Sequence, residues 1–309
     1  MDQPKPKILI NNTDSVIFNN GYLSPFLEKY FDIVIYQSDT TYSANEYSVV
    51  TNRMGIGNWY DNLVDNGSKL IYDSCWEHHV FGQLNKKFKS RALVLASQNY
   101  FWINEYYWYK SLNYNNYIPN KKYTHKALLP IRQLKPHRKN LLQKLDSCLD
   151  QLIYSTVDNG RYLPDDASIT DGEFQRYFNP SWYNSTYFTI VSESIVSSEY
   201  CLHITEKTFK PIAFYHPFVV FGQPGTLEYL HKLGFETFEN LFDETYDEQI
   251  NQEIRLDMIV DNIIKFKTNS YDQRTLDKIL YNHNLFFDDK RVEQIFLNDI
   301  INPLLEYVN

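Results

Sequence analysis

Three consecutive residues, Thr205, Glu206 and Lys207, have side chains suited to binding a phosphorylated ligand. Thr205 is a favourable N-cap, which places Glu206 and Lys207 in the first turn of a helix. Such a turn carries backbone N–H groups and a partial positive charge that favour anions. Lys207 adds a full charge for a diphosphate, and the Glu206 carboxylate can accept hydrogen bonds from two ribose hydroxyls. A sugar nucleotide carries both groups.

The residues before and after this turn predict the elements that position it. The apolar run Tyr187–Val191 is typical of a buried strand, and Glu193 follows it directly. The run Pro217–Phe221 predicts the next strand. Because ligands of parallel α/β sheets bind at the carboxyl ends of strands, Glu193 is predicted to fall at such an end.

The N-terminal part of the chain repeats this pattern of short apolar runs. The segments between them are long enough for helices or crossovers, so we expect an α/β domain over residues 1–122. The aromatic stretch 97–124 predicts a helix and a linker, and packing is favoured over an acceptor pocket. The predicted strands are Lys7–Asn11, Phe31–Gln37, Tyr47–Thr51, Lys69–Tyr72 and Ala92–Ala96.

A second α/β series is predicted over residues 123–280, and a helical segment, residues 281–309, is expected to pack back on the N-terminal domain. Thr226 is predicted to cap a helix that Gly234 ends. The architecture expected from both series is two α/β halves with a ligand between them. The further predicted elements are strands His125–Arg132 and Gln151–Ser155 and helices Lys135–Leu149 and Thr205–Phe214.

Composition excludes several classes of protein. The 309 residues are 43% hydrophobic and 17% aromatic, so the chain is expected to fold. Its net charge of -8 disfavours a broad basic surface for nucleic acid. The three cysteines have no metal-binding spacing, and no signal peptide or membrane span is recognisable. We therefore expect a cytoplasmic protein, bacterial or in an infected host cell.

The block Ile204-Thr205-Glu206-Lys207, with Glu193 before it and the strand Pro217-Phe218-Val219-Val220 after it, resembles the donor domain of the α1,3-fucosyltransferase family and its bacterial and phage relatives. A second segment, Leu128–Arg132 followed by Lys135–Arg138, is similar to the family's strand and arginine-bearing helix. The resemblance covers roughly residues 125–235.

This resemblance implies a GT-B fold, with two Rossmann-type domains facing across a cleft. It implies transfer of a sugar from a nucleotide sugar to a hydroxyl of a glycan or similar acceptor, with inversion and without a metal ion. The sugar nucleotide is then a co-substrate, and no cofactor is expected. Arg138 and Lys207 would neutralise the diphosphate, Glu206 would hold the ribose and Glu193 would lie near the transferred sugar. His203, where the family usually has Tyr, and Thr205 complete the donor-binding set.

Inversion requires a general base to take the proton of the acceptor hydroxyl. Asp73 and Glu77 come directly after the strand Lys69–Tyr72 and are the candidates, with Asp61 a weaker one. A metal site at His78 and His79 is disfavoured, because adjacent side chains point in different directions and no third ligand is evident.

Two alternatives stay open. A phage-type enzyme could glycosylate a hydroxymethylated DNA base, which requires a local basic cleft. A non-catalytic protein could have kept the nucleotide-sugar site and lost transfer. A dehydrogenase is disfavoured because no GxGxxG follows the first strand. The residues available for the basic cleft are Lys86, Lys87, Lys89, Arg91, Lys121 and Lys122.

Overall fold

The structure is a computed structural model. It describes residues 4–11, 23–43, 45–51, 60–73, 92–95, 97, 99–165, 179–199 and 202–309. The chain forms two compact units, the first made of Met1–Ser111 with Asp289–Asn309 and the second of Leu112–Asp288. Each unit contains one parallel sheet, so the predicted α/β class is confirmed. Within the described ranges, no helix is both long and apolar enough to cross a membrane.

All nine strands predicted from apolar runs are present, with ends shifted by one or two residues. Most of them read as continuous apolar runs because strands inside a parallel sheet are buried on both faces. The edge strand Asp32–Ile35 is an exception, with only exposed and half-buried residues. The first unit contains β1 Lys7–Ile10, β2 Asp32–Ile35, β3 Ser48–Thr51, β4 Lys69–Asp73 and β5 Ala92–Leu95. The second contains β6 His125–Ile131, β7 Leu152–Thr156, β8 Thr186–Ser192 and β9 Phe218–Phe221.

The described helices connect these strands and form the C-terminal part of the chain. They are α1 Ser24–Leu27, α2 Asp61–Asp65, α3 Tyr100–Ser111, α4 Pro136–Lys144, α5 Pro180–Ser185, α6 Glu206–Ala213, α7 Thr226–Leu233, α8 Gln252–Lys265, α9 Gln273–Phe286, α10 Asp289–Phe296 and α11 Asn302–Val308, with a π turn at Leu297–Ile301. Short 3₁₀ turns lie at Tyr114–Asn116, Asp146–Gln151, Val157–Asn159 and Glu244–Glu248.

In the second sheet, the order of the strands reverses the direction in which the chain adds strands, and this happens between β6 and β8. The sheets have the orders β2-β1-β3-β4-β5 and β7-β6-β8-β9. In the second sheet the chain moves from β6 outwards to β7 and then crosses to β8 on the other side. Leu128 pairs with Thr189, so Ile131 and Ser192 end their strands at the same level. The loops after β6 and β8 therefore leave the sheet side by side, which is where such sheets bind ligands.

Helix α3 is apolar on nearly every side because it is buried. Tyr100, Trp102 and Tyr109 are almost fully inaccessible to solvent. Asp289 at the start of α10 accepts a hydrogen bond of 2.7 Å from the hydroxyl of Tyr106, and Asp299 accepts one of 2.8 Å from Ser97. Helix α3 therefore packs inside the first unit, whereas Tyr114 and Tyr123, later in the aromatic stretch, pack on Phe214 and Tyr187 of the second.

The unit boundaries differ from those expected at 122/123 and 280/281. The first lies between Ser111 and Leu112, where α3 ends, and the second between Asp288 and Asp289. Helix α9 runs without interruption from Gln273 to Phe286, across residue 280.

Two helix ends also differ from the prediction. Helix α4 stops at Lys144 because Leu145 has a non-helical backbone, and a 3₁₀ turn follows. Thr226 is not the N-cap of α7, since Gly225 occupies that position and the Thr226 hydroxyl donates to the Gln223 carbonyl at 2.6 Å. The Asp247 carboxylate caps α7 instead, accepting from two of its first backbone N–H groups.

Gly234 ends α7 in a left-handed conformation with φ +98°, as the sequence predicts. We expect Gly234→Ala to destabilise the protein by more than about 1 kcal/mol, because an L-residue is strained there and its Cβ would lie 3.3 Å from Leu285 Cδ2. Gly160→Ala is the matched control, with φ +78° and no atom within 4 Å of the new Cβ. Urea unfolding measures both changes. An equal loss for the two variants would show that crowding at Leu285 contributes nothing.

Candidate functional site

Helix α6 begins where the sequence predicts. Thr205 is its N-cap, with the Lys207 N–H directed at the threonine hydroxyl, 3.4 Å away, and the Thr208 N–H donating to the Thr205 carbonyl at 3.1 Å. The Thr205 N–H itself donates to the Glu193 carboxylate at 3.0 Å. The N–H groups of residues 205, 207 and 208 thus already face acceptors of the protein. Anion binding at this turn must depend on side chains more than the sequence suggested.

Pro211 lies inside α6 and has no N–H to donate to the Lys207 carbonyl. Helix α6 continues for two more residues and ends at Ala213, where the Phe214 N–H bonds the carbonyls of Lys210 and Pro211, each at 3.2 Å. The helix therefore tolerates a proline in its interior.

Arg138 of α4 is buried beside the end of β8. Its Nη2 donates to the Ser192 carbonyl at 2.8 Å and to the Glu193 carbonyl at 3.2 Å, and its Nη1 donates to Gln133 at 3.1 Å. Burial lowers the pKa of Arg138, which Glu193 and Glu206 partly offset. The guanidinium Nε is buried and has no hydrogen-bond partner in the part of the chain described. An anion at this position would meet a cation whose orientation is already fixed.

Glu206 and Lys207 form an ion pair of 2.6 Å between the Lys207 Nζ and a Glu206 carboxylate oxygen. The Lys207 Nζ also donates to the Thr205 hydroxyl at 3.0 Å. Burial alone would raise the pKa of Glu206, but the charges of Lys207 and Lys210 outweigh it and the pKa is lowered. Glu206 is therefore a buried anion stabilised by two lysines of its own helix.

The positive charge of Arg138 contributes to a lowered pKa at two residues that precede it in the chain, Lys135 and His137. Lys135 donates to the Ser194 carbonyl at 3.2 Å, and burial together with Arg138 and Lys207 lowers its pKa. The pKa of His137 is lowered to about 4 by burial and by Arg138. Its Nε2 lies 3.0 Å from the Glu193 carbonyl, so the neutral ring donates a hydrogen bond there. Mutual repulsion among Lys135, Arg138 and Lys207 favours a bound anion.

A cavity of about 250 Å³ lies beside these groups. Cations line part of it and apolar side chains line another part. It contains three residues of the predicted donor set, Arg138, Glu206 and Lys207. The lining also includes Arg132, Lys210, Leu163 and Trp182, which the sequence did not assign to the site.

Glu193 occupies a different environment from the one expected. Its side chain has no exposed surface. Oε1 accepts from the Thr205 N–H and the Thr208 hydroxyl, and Oε2 accepts from the hydroxyl of Thr205, the N-cap of α6. The structure thus places this carboxylate within the protein interior rather than on a surface open to a sugar. His203 is buried as well, and its backbone N–H donates to Gln223 Oε1 at 2.7 Å.

The residues predicted for the acceptor side lie mostly outside the described ranges. Glu77, His78 and His79 belong to this group, and so do Lys86, Lys87, Lys89 and Arg91. Asp73 is the last residue of β4, at the carboxyl end of that strand, and only its backbone is described. Asp61 begins α2.

The two remaining lysines of the DNA alternative are described. Lys121 donates to the Tyr183 carbonyl at 3.0 Å, and burial lowers its pKa to about 7, whereas Lys122 is exposed. Lys121 is therefore poorly placed to contact a phosphate on the surface.

For one of the cavity residues that the sequence analysis did not assign, Lys210, the sequence did contain an indication. Lys210 follows Lys207 by three residues, so both side chains emerge on one face of α6. Trp182 comes from α5, a separate helix that precedes β8, and no local pattern connects it with Lys207. Only the folded sheet brings these two residues to one cavity.

No family model matches the sequence, and no match was found among curated proteins. Two crystal structures of α1,3-fucosyltransferase are similar to the chain in backbone. One has a TM-score of 0.48 at 13% identity and covers 93% of this chain and 92% of that chain. The other, with GDP, has a TM-score of 0.41 at 13% identity and covers 94% and 92%. Such a likeness concerns the backbone alone, so function has to be argued from the residues of the site.

His137 is expected to stay neutral at every pH above about 4, because burial and Arg138 lower its pKa to about 4. Since the unfolded chain binds this proton near pH 6.5, the contribution of His137 to stability is lost as the pH falls from about 6.5 to 4. NMR titration of the imidazole measures the value. Lys135→Ala should raise it, because Lys135 is another of the charges that lower it. An inflection near pH 6.5 in the wild type would contradict this description of the site.

Proposed function

We propose that the second unit binds the nucleotide part of a sugar nucleotide and that the protein transfers the sugar to a hydroxyl acceptor. The observation that carries this proposal is the grouping of Arg138, Lys207 and Glu206 around one cavity beside the ends of β6 and β8. Two cations complement a diphosphate, and a carboxylate beside them complements the two hydroxyls of a ribose.

The geometry of the two cations supports a diphosphate in particular. The Arg138 guanidinium is fixed by three carbonyl contacts, so it loses little side-chain freedom when it binds. The Lys207 side chain is 27% exposed and can reach a ligand. Burial lowers the pKa of Lys135, and the charges of Arg138 and Lys207 lower it further. A diphosphate would relieve that repulsion. These features favour an anion with charge spread over several oxygens.

The same cations have a role in transfer. When the bond between the sugar and the diphosphate breaks, negative charge develops on the departing phosphate, and Arg138 and Lys207 would stabilise it. This is the work that a bound metal ion does in other phosphate sites. In the proposed reaction the sugar nucleotide is the co-substrate, with no further cofactor, and the anomeric centre is inverted.

The general base is proposed to come from the first unit. Asp73 ends β4 and Glu77 follows it by four residues, so both belong to the segment that leaves the carboxyl end of a strand. This end of a parallel strand is where reactive side chains of α/β proteins are found. The proposal gives either carboxylate the task of taking the proton from the acceptor hydroxyl.

The size of the cavity fits a part of the ligand. Its volume of about 250 Å³ is slightly below the range of about 300–1,000 Å³ for sites that enclose a whole small molecule. We therefore assign the nucleotide to it and expect the sugar to extend beyond it. Trp182 and Leu163 offer an apolar surface for the nucleobase. Arg138, Glu206 and Lys207 would contact the diphosphate and the ribose of the nucleotide.

The binding part of the proposal is tested with a thermal-shift panel of sugar nucleotides and free nucleoside diphosphates. A ligand that binds only the folded protein stabilises it by RT ln(1 + L/Kd), where L is the free ligand concentration, and so raises its unfolding temperature. If none of them stabilises the protein at millimolar concentration, the proposal fails. Transfer or hydrolysis of a binding donor then separates an enzyme from a non-catalytic nucleotide-sugar-binding protein.

Lys207→Ala is expected to weaken nucleoside diphosphate binding about tenfold or more, because a charge-assisted hydrogen bond is lost. Isothermal titration calorimetry measures the affinity. Lys232→Ala is the matched control, since Lys232 forms an ion pair of the same 2.6 Å length with Glu228 on the surface of α7. The control should bind as the wild type does. Equal affinity of both variants would remove Lys207 from the phosphate site.

We expect Glu206 to make the protein bind ribonucleotides more tightly than 2′-deoxyribonucleotides. The wild type should bind a nucleoside diphosphate about tenfold more tightly than its 2′-deoxy analogue, because the deoxy sugar loses one hydrogen bond to a charged group. In Glu206→Ala the two ligands should bind about equally, whereas Glu228→Ala on the surface should keep the preference. Discrimination that survives Glu206→Ala would assign the ribose to another residue.

A further inference from the structure

Glu193 connects the loop after β8 with the start of α6. Its Oε1 accepts from the Thr205 N–H at 3.0 Å and from the Thr208 hydroxyl at 2.7 Å, and its Oε2 accepts from the Thr205 hydroxyl at 2.5 Å. All three residues are buried. Thr205 comes twelve residues after Glu193, so the carboxylate joins two described segments that are separated in the chain.

The backbone of the same residue holds helix α4. The Glu193 carbonyl accepts from Arg138 Nη2 at 3.2 Å and lies 3.0 Å from His137 Nε2. The Ser192 carbonyl beside it accepts from Arg138 at 2.8 Å. One residue therefore bonds to α4 through its backbone and to α6 through its side chain. These two helices carry Arg138, Lys207 and Lys210 of the cavity lining.

We propose that Glu193 is a positioning residue, whose carboxylate holds the first turn of α6 at a fixed distance from Arg138 so that one diphosphate can contact Arg138 and Lys207 together. This inference rests on the proposed function. It gives Glu193 a task that needs no contact with the sugar, in agreement with its complete burial.

A carboxylate suits this task better than an amide. The three donors from Thr205 and Thr208 need acceptors on both terminal atoms of the side chain. A glutamine has one acceptor oxygen, and its NH₂ group can only donate. Glu193→Gln would therefore turn one of these contacts into a clash between donors or rotate a threonine hydroxyl away.

Charge and position predict opposite effects for Glu193→Gln. Removing a negative charge near the cavity strengthens anion binding if Coulomb attraction alone matters. Loss of the fixed turn weakens it if Glu193 acts by positioning. A purely structural role predicts lower stability with no effect on the affinity of the remaining folded protein. The sign of the change in affinity therefore separates the three interpretations.

A substitution at Thr208 tests the same contacts without changing the charge of Glu193, and it has a control variant. Its buried hydroxyl donates to the Glu193 carboxylate at 2.7 Å, and the equally buried Thr237 hydroxyl donates to the Glu244 carboxylate at 2.6 Å after α7. Valine has nearly the shape of threonine without the hydroxyl. Both Thr208→Val and Thr237→Val remove a buried hydrogen bond from a threonine hydroxyl to a glutamate side chain. Thr237→Val also removes a contact of 2.9 Å with His231 Nε2, and only Thr208 belongs to the Glu193 contacts.

The experiment measures affinity and stability for both variants, with a nucleoside diphosphate and with inorganic pyrophosphate as probes. Both variants should lower the urea midpoint, Thr237→Val by at least as much as Thr208→Val because its hydroxyl has two partners. Thr208→Val should weaken both probes about tenfold, since that corresponds to one hydrogen bond, while Thr237→Val binds as the wild type does. Thr208→Ser restores the hydroxyl and should restore the affinity. Amide hydrogen exchange at residues 205–208 should increase in Thr208→Val alone.

Several results would overturn the inference. Wild-type affinity in Thr208→Val, equal weakening in Thr237→Val, or tighter binding in Glu193→Gln each contradicts positioning. If pyrophosphate binds and shows the expected pattern but no nucleoside diphosphate binds, the proposed function fails and the positioning role stands. If pyrophosphate does not bind the wild type either, both fail.

Discussion

A buried carboxylate must find hydrogen-bond donors within the protein, and this requirement at Glu193 constrains the whole site. The donors are a backbone N–H and a hydroxyl of Thr205 and a hydroxyl of Thr208, so α6 has to begin at this place and in this orientation. Since β6 and β8 are neighbours, the carbonyls at the end of β8 also receive the Arg138 guanidinium. The order of strands brings the two helices together, and the contacts of one residue fix the distance between them.

The charges around the cavity are only partly balanced by the protein itself. Arg138 and Lys207 both lower the pKa of Lys135, and Arg138 contributes to the low pKa of His137. Glu206 compensates part of this positive charge, and it remains ionised because Lys207 and Lys210 outweigh the effect of burial. A site that kept several cations close together for packing alone would be destabilised by their repulsion. A ligand that brings negative charge is a physical reason for such an arrangement.

The sequence predicted the elements of the fold well, because buried parallel strands read as apolar runs and because Thr205 and Gly234 have clear preferences for helix ends. The prediction from sequence was wrong where a residue far away in the chain determines which group caps a helix or encloses a side chain. Thr226 has the right side chain for an N-cap, yet Asp247, twenty residues after Leu227, bonds the N–H groups of Leu227 and Glu228. Glu193 was recognised as an acid at a strand end, but nothing in its neighbourhood in the sequence indicated that two threonines further on would enclose its carboxylate. Local patterns specify elements, whereas long-range contacts specify which side chains remain available to a ligand.

The ion pair between Glu206 and Lys207 affects how a nucleotide would enter the proposed site. Without a ligand each side chain already has a charged partner 2.6 Å away. Lys207 is 27% exposed and Glu206 only 11%, so the lysine is the group that can turn towards an incoming phosphate. Once it does so, the Glu206 carboxylate loses its nearest donor in a buried position, and the ribose hydroxyls replace it. Phosphate and ribose would then be recognised together, because each contact removes the penalty that the other creates.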